Sequence, residues 1–87
     1  MEETFNMSID LVKMISDKLN NDELTSVYKY YKQAQFGDIN IKKPFIFNLK
    51  ENTKWEAWNS VKGLSKEKAM EEYINLSIKL YDKYKVI

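Results

Sequence analysis

Apolar residues recur at helical spacing in the first segment of the chain, from about Thr4 to Asp17. Two apolar stripes lie on different sides of this predicted helix, and Thr4 is its predicted N-cap. A helix of this kind either contacts two neighbours or is simply well buried, and the pattern does not choose between these. The stripes consist of Phe5, Ile9 and Val12, and of Met7, Leu11, Met14 and Ile15.

A second helix is predicted to begin between Asn20 and Asp22 and to end at Gly37. Asn20 and Glu23 have the spacing of a capping box, in which each side chain accepts a hydrogen bond from the other residue's backbone. Glycine is common just past a helix end. The residues at helical intervals in between are Leu24, Val27, Tyr28, Tyr31 and Ala34.

Residues 38–50 follow a different pattern, because their apolar residues alternate with a period of two. This period is typical of a strand. However, no second strand-like segment exists to pair with it, and Pro44 lies in its middle. We therefore predict a long loop held against the helices by its odd-numbered apolar residues, which are Ile39, Ile41, Phe45, Phe47 and Leu49.

Two more helices are predicted after this loop. The third begins at Asn48 or Thr53, both of which have a capping-box partner, and ends at Gly63. Its expected buried edge is Trp55, Trp58 and Val61. The fourth begins after Ser65, and its apolar stripe consists of Met70, Tyr73, Ile74, Leu80, Tyr81 and Tyr84. The predicted fold class is all-α.

Length and composition limit what such a bundle can be. The chain has 87 residues, which suits one domain spanning 1–87. No apolar run approaches the ~20 residues that cross a bilayer, so we expect no stable membrane insertion. The acidic start of the chain does not resemble a signal peptide, so a cytoplasmic location is expected. A net charge of +1 and the lack of arginine argue against nucleic acid as a partner.

The chemistry available to the chain is narrow. It contains no histidine and no cysteine, which excludes an imidazole base, a thiolate nucleophile and the usual zinc ligands. Its two glycines, Gly37 and Gly63, are isolated and form no phosphate-binding loop. We therefore expect neither catalysis nor a metal or cofactor.

The most informative cluster is Tyr28, Tyr31 and Lys32, which share one face of the second helix. Phenol rings can stack on a nucleobase, and an ammonium group beside them can neutralise a phosphate. The alternative is that both rings belong to the core and that Lys32 merely extends to water. The same ambiguity applies to Lys13, Lys54 and Tyr73.

Taken together, several blocks of the sequence resemble the acyl-CoA-binding protein family over nearly the whole chain. They occur in the family's order and spacing. The blocks are 28–34 (YKYYKQA), 37–40 (GDIN), 54–58 (KWEAW), 62–67 (KGLSKE), 69–70 (AM) and 73–74 (YI).

The resemblance implies an up-down-down-up four-helix bundle, with a long loop between helices 2 and 3 and a bowl-shaped ligand site. It implies that Lys13 faces the phosphates of coenzyme A and that Lys54 joins the phosphate cluster. It also implies that Tyr73 lies against the nucleotide. The adenine and 3′-phosphate would be contacted by Tyr28, Tyr31 and Lys32.

By looser analogy, the acyl groove would be bordered by Ile9, Leu24 and Tyr31. The sequence departs from the family's pattern at 43–45 (KPF), where many relatives have RPG, and at 17–22, which lacks a common proline. The second segment lies near the expected acyl exit, so chain-length preference is open.

The function implied is that of a monomeric carrier and pool former for medium- to long-chain fatty acyl-CoA, with transient contacts to membranes or to acyl-CoA-using enzymes. The alternative is a helical protein-interaction module without a small-molecule ligand, which leaves the clustered tyrosines and lysines unexplained.

Overall fold

Four α-helices make up the computed structural model, which describes residues 1–85. A short 3₁₀ turn follows the first helix. No strand occurs in this described part of the chain, and the predicted all-α four-helix fold is confirmed. The elements are α1 (Glu2–Ile15), the 3₁₀ turn (Ser16–Lys18), α2 (Asn21–Phe36), α3 (Leu49–Asn59) and α4 (Lys66–Tyr84).

Side-chain caps set three of the four helix starts, as predicted. The Asn20 Oδ1 accepts a hydrogen bond from the Glu23 N–H at 2.8 Å, and the Glu23 carboxylate accepts one from the Asn20 N–H at 3.0 Å. Asn48 and Ser65 cap α3 and α4 with their side-chain oxygens. Each cap satisfies a backbone N–H that has no partner within its helix.

The predicted start of α1 and the predicted C-terminal end of α3 are wrong. The N-cap of α1 is Met1 rather than Thr4, and no side chain caps it. Glu2 and Glu3 lie in the first turn instead, where carboxylates are favoured by the helix dipole. Helix α3 ends at Asn59, well before Gly63, because the chain there changes to tighter turns with bonds such as Leu64 N–H to Val61 O.

The core forms where α4 packs against both α1 and α2, while α3 packs against α2. At its centre the ring of Tyr73 contacts two others, with centroids 5.1 Å from Phe5 and 6.2 Å from Tyr31. The second stripe of α1 is split, since Ile15 is buried but Met7 and Met14 are exposed. The buried apolar cluster is Phe5, Val12, Ile15, Leu19, Ala34, Ala69, Tyr73 and Leu80.

The loop between α2 and α3 is anchored by polar contacts. The indole N–H of Trp58 donates to Gly37 O at 3.0 Å, and that of Trp55 donates to Ile41 O at 2.9 Å. The Asp38 carboxylate accepts from the Gly63 N–H at 2.7 Å and from the Gln33 amide at 2.9 Å. Both hydrogen bonds lower the pKa of Asp38, and the bond from the Gly63 backbone has the larger effect.

The expected apolar anchoring of this loop is wrong. Of its odd-numbered apolar residues, Ile41, Phe45 and Phe47 are exposed, as is Leu49 at the start of α3. Only Ile39 is partly covered. Because the tryptophan indoles and Asp38 already hold the loop backbone, its own apolar side chains are not needed to keep it in place.

Glu23 links the start of α2 to the end of α4. Its carboxylate accepts hydrogen bonds from the Lys83 ammonium at 2.8 Å and from the Tyr84 hydroxyl at 2.6 Å. These bonds, together with the one from the Asn20 N–H, lower the pKa of Glu23 from 4.5 to about 2. The folded state therefore binds this proton more weakly than the unfolded state.

We expect Glu23→Gln to lower the free energy of unfolding near neutral pH. The stabilisation from a depressed pKa is fully present above 4.5 and is lost as the pH falls towards about 2. The variant should consequently lose less stability than the parent across this window. Urea denaturation at several pH values would measure this. Glu71→Gln, which removes an exposed carboxylate near Lys68, is the control. Identical pH profiles for parent and Glu23→Gln would contradict the prediction.

Candidate functional site

A groove of about 500 Å³ lies between α2 and α3. Both helices contribute one face to it, with lining residues at helical spacing. The lining residues are Asn21, Leu24, Thr25 and Tyr28 from α2, and Lys50, Thr53 and Lys54 from α3.

The ring of Tyr28, which lines this groove, lies near two lysines. The Lys54 Nζ is 5.1 Å from the centroid of the Tyr28 ring, and the Lys32 Nζ is 5.8 Å from the same centroid. Burial, with a smaller effect of Glu51, raises the pKa of the Tyr28 phenol. The hydroxyl is therefore neutral at physiological pH and can both donate and accept a hydrogen bond.

Two further aromatic rings lie near the ammonium group of Lys32. Its Nζ lies 4.7 Å from the centroid of Phe36 and 5.4 Å from that of Trp58. A ring face attracts a cation, so these contacts favour one position of the ammonium group. Lys54, besides its contact with Tyr28, forms an exposed ion pair of 3.8 Å with Glu51. Such exposed pairs are weak, which leaves Lys54 able to bind another anion.

Four of the sequence-predicted residues are thus brought together: Leu24, Tyr28 and Lys54 line the groove, and Lys32 adjoins Tyr28. Leu24 is partly exposed and provides apolar surface there. This combination of cationic groups, a phenol and apolar surface suits an anionic ligand that carries an apolar part.

Other predicted residues lie outside the groove lining. Tyr73 is only 2% exposed, and burial raises its pKa to about 12. Tyr31 is half-buried against Tyr73, and Ile9 packs against the same core. Lys13 is exposed in the last turn of α1. Tyr73 therefore lies in the core, which was the alternative interpretation of this residue. Ligand contacts of all four residues stay predictions.

Sequence reasoning missed four groove residues, namely Asn21, Thr25, Lys50 and Thr53. A positional signal was available for three of them. Asn21 lies seven residues and Thr25 three residues before Tyr28, and Lys50 lies four before Lys54. Each therefore shares a helix face with a predicted site residue.

Among residues 1–85, no group of three or more acidic, histidine or cysteine side chains is placed to hold a metal ion. In the same part of the chain, none of the helices is both long enough and apolar enough to span a bilayer.

The sequence is similar to that of a known protein family. Residues 2–77 match the family model described as acyl CoA binding protein. The chain is 43% identical over 84 residues to the acyl-CoA-binding protein of Saccharomyces cerevisiae, covering 97% of each chain.

Two solved structures are similar to the fold. The crystal structure of Oryza sativa acyl-CoA-binding protein 2 has a TM-score of 0.90 and 38% identity, covering 94% of this chain and 91% of the other. The solution structure of the acyl CoA binding protein from Babesia bovis has a TM-score of 0.72 and 38% identity, covering 95% of this chain and 99% of that one.

Proposed function

The chain belongs to the acyl-CoA-binding protein family, and from this premise we propose that it binds medium- to long-chain fatty acyl-CoA esters and carries them within the cell. The observation that supports this most directly is that two lysines, Lys32 and Lys54, lie near the Tyr28 ring, which lines the α2–α3 groove.

The head group of the ligand fits the charged part of this groove. Coenzyme A carries several phosphates and an adenine. We propose that Lys32 and Lys54 bind phosphate oxygens and that the Tyr28 ring contacts the adenine, because ammonium groups suit phosphate and aromatic rings stack on bases. Lys50 lines the same groove and would add to the positive charge near the phosphates.

The apolar tail requires a continuous apolar surface. Leu24 supplies part of it in the groove. We propose that Ile9 and Tyr31, which lie partly covered beside the core, border the rest of the acyl chain. Lys13 and Tyr73 are proposed to contact the phosphates and the nucleotide; for the buried Tyr73 this would require a local shift of its neighbours.

We further propose that residues 1–87 form one binding domain that acts as a cytosolic monomer, takes no cofactor and catalyses no reaction. Acyl-CoA-using enzymes and membranes would be its transient partners. A protein-interaction module without a ligand is not favoured, because it accounts for neither the family match nor the lysine pair around Tyr28.

We expect Lys32→Ala and Lys54→Ala each to weaken palmitoyl-CoA binding at least about tenfold, since a hydrogen bond to a charged group contributes about 1.5–3 kcal/mol. Isothermal titration calorimetry would measure the affinity, and circular dichroism would verify the fold. Lys29→Ala is the matched control, because Lys29 lies over Tyr30 and outside this groove. Unchanged affinity in both site variants would refute the proposed site.

A further inference from the structure

The loop before α3 exposes an unusual amount of apolar surface. The exposed fractions are 81% for Phe45, 70% for Ile46, 84% for Phe47 and 75% for Leu49. Side chains of this size are normally covered in a small soluble domain, and a contiguous exposed group of them often marks an interaction site. We call residues 45–49 the apolar tip.

Backbone hydrogen bonds hold the apolar tip in its exposed position. The Phe45 carbonyl accepts from the Asn48 N–H at 2.9 Å and also from the side-chain amide of Asn52. The same amide donates to Asn48 O at 3.0 Å. Ile46 and Phe47 therefore lie at the end of a closed turn. The fixed turn presents their side chains outward, so ordering them on a partner costs less backbone entropy.

The segment that contains the apolar tip carries only positive charge, and the first acidic residue after it is Glu51. Residues 39–50 contain three lysines and no acidic residue. Lys42 and Lys50 are exposed, and each has no ion pair within residues 1–85. Lys43 is the exception, since it pairs with Glu56 at 2.7 Å.

We propose that the apolar tip and its flanking lysines form a docking surface for anionic lipid bilayers. Aromatic and aliphatic side chains insert into the boundary between headgroups and acyl chains, and nearby lysines are attracted to anionic headgroups. The charge complementarity favours this partner over a second copy of the chain, because two copies of the loop would bring like charges together. The protein would bind at the surface of the bilayer and would not cross it.

The docking surface adjoins the α2–α3 groove. Leu49 belongs to the apolar tip, and the next residue, Lys50, lines the groove. A bilayer bound at the apolar tip thus lies beside one end of the groove. If the proposed function holds, an acyl chain can pass between lipid and groove over a short distance. The docking itself does not depend on that function.

Vesicle flotation of the whole protein without any acyl-CoA tests the docking surface. We expect saturable binding to vesicles that contain phosphatidylserine and much weaker binding to pure phosphatidylcholine. Phe45→Ser with Phe47→Ser should weaken the partition coefficient about tenfold or more, because two large apolar side chains no longer enter the lipid. Met7→Ser with Met14→Ser is the matched control. It removes two side chains from α1 that are 66% and 64% exposed, and its vesicle binding should equal that of the parent.

The electrostatic part has its own test. Lys42→Gln should weaken binding to the anionic vesicles about fivefold, as expected from about 1 kcal/mol for each lysine near such a surface. Added salt should weaken the parent's binding as well, because it screens exposed charges.

Three results would overturn the proposal: no binding to anionic vesicles, equal binding to both vesicle types, or unchanged binding of the Phe45/Phe47 double variant. Self-association in sedimentation analysis that this variant abolishes, in a protein that does not bind vesicles, would instead identify a second copy as the occupant. Calorimetry with palmitoyl-CoA, run on the same double variant, separates this proposal from the proposed function. If the double variant keeps its affinity for palmitoyl-CoA but no longer binds vesicles, the docking surface is supported independently of the ligand site. If the parent does not bind palmitoyl-CoA, the carrier function is refuted and the docking proposal is unaffected.

Discussion

Free coenzyme A is expected to bind this protein about 10⁴-fold more weakly than palmitoyl-CoA. Full burial of the palmitoyl chain at ~0.8 kcal/mol per methylene would contribute about 11 kcal/mol. The groove is open to solvent, so we expect about half of this contribution, which corresponds to about four powers of ten in affinity. The lysine contacts to the head group, by contrast, lie near solvent and contribute less each.

Calorimetry with free coenzyme A, palmitoyl-CoA and free palmitate would measure this difference. Free palmitate is the control for the opposite case, since it has the apolar chain but lacks the phosphates that Lys32 and Lys54 would bind. Affinities of free coenzyme A and palmitoyl-CoA within tenfold of each other would show that the apolar part of the groove does not hold the chain.

The second large effect is expected for Trp58→Ala, which should lower the free energy of unfolding by about 3–5 kcal/mol, as for other buried aromatic residues. Trp58 is 3% exposed, and its indole N–H donates to Gly37 O. For a chain of this length the total stability is about 4–13 kcal/mol, so much of the variant could be unfolded at room temperature.

Urea denaturation followed by circular dichroism would measure the loss, because removing an indole changes the fluorescence signal. Trp58→Phe is the comparison: it keeps most of the ring but loses the hydrogen bond to Gly37, so its cost should be intermediate. Its ligand affinity is informative too, because the Lys32 ammonium lies over this ring. A loss below about 1 kcal/mol for Trp58→Ala would contradict the buried role.

Local signals predicted the fold well. The capping residues Asn20, Asn48 and Ser65 each act within three residues along the chain, so their hydrogen bonds are visible in the sequence. The apolar stripe of α4 was equally readable, because a helix of 19 residues repeats its pattern several times.

Contacts between distant segments were not readable in the same way. The period-two pattern of the loop suggested apolar anchoring, yet the anchors are the indoles of Trp55 and Trp58, which lie 14 and 21 residues from their acceptors. Nothing in the pattern of the loop itself indicates such partners.

The candidate site shows the same division. Tyr28 and Lys32 share a helix face, which spacing alone predicts. That Lys54 approaches the same ring from α3 depends on how two helices pack. The groove position of Thr53 was missed, because a polar residue on a helix surface gives no periodic apolar signal.

The packing of α4 against both α1 and α2 has a consequence for synthesis on the ribosome. Before α4 has been translated, Phe5 can contact Tyr31 of α2 but lacks the ring of Tyr73, and the buried cluster is incomplete. We therefore expect the complete core to form late, after residues 66–84 have emerged. Chaperones that bind exposed apolar segments have access to the first half of the chain throughout that interval.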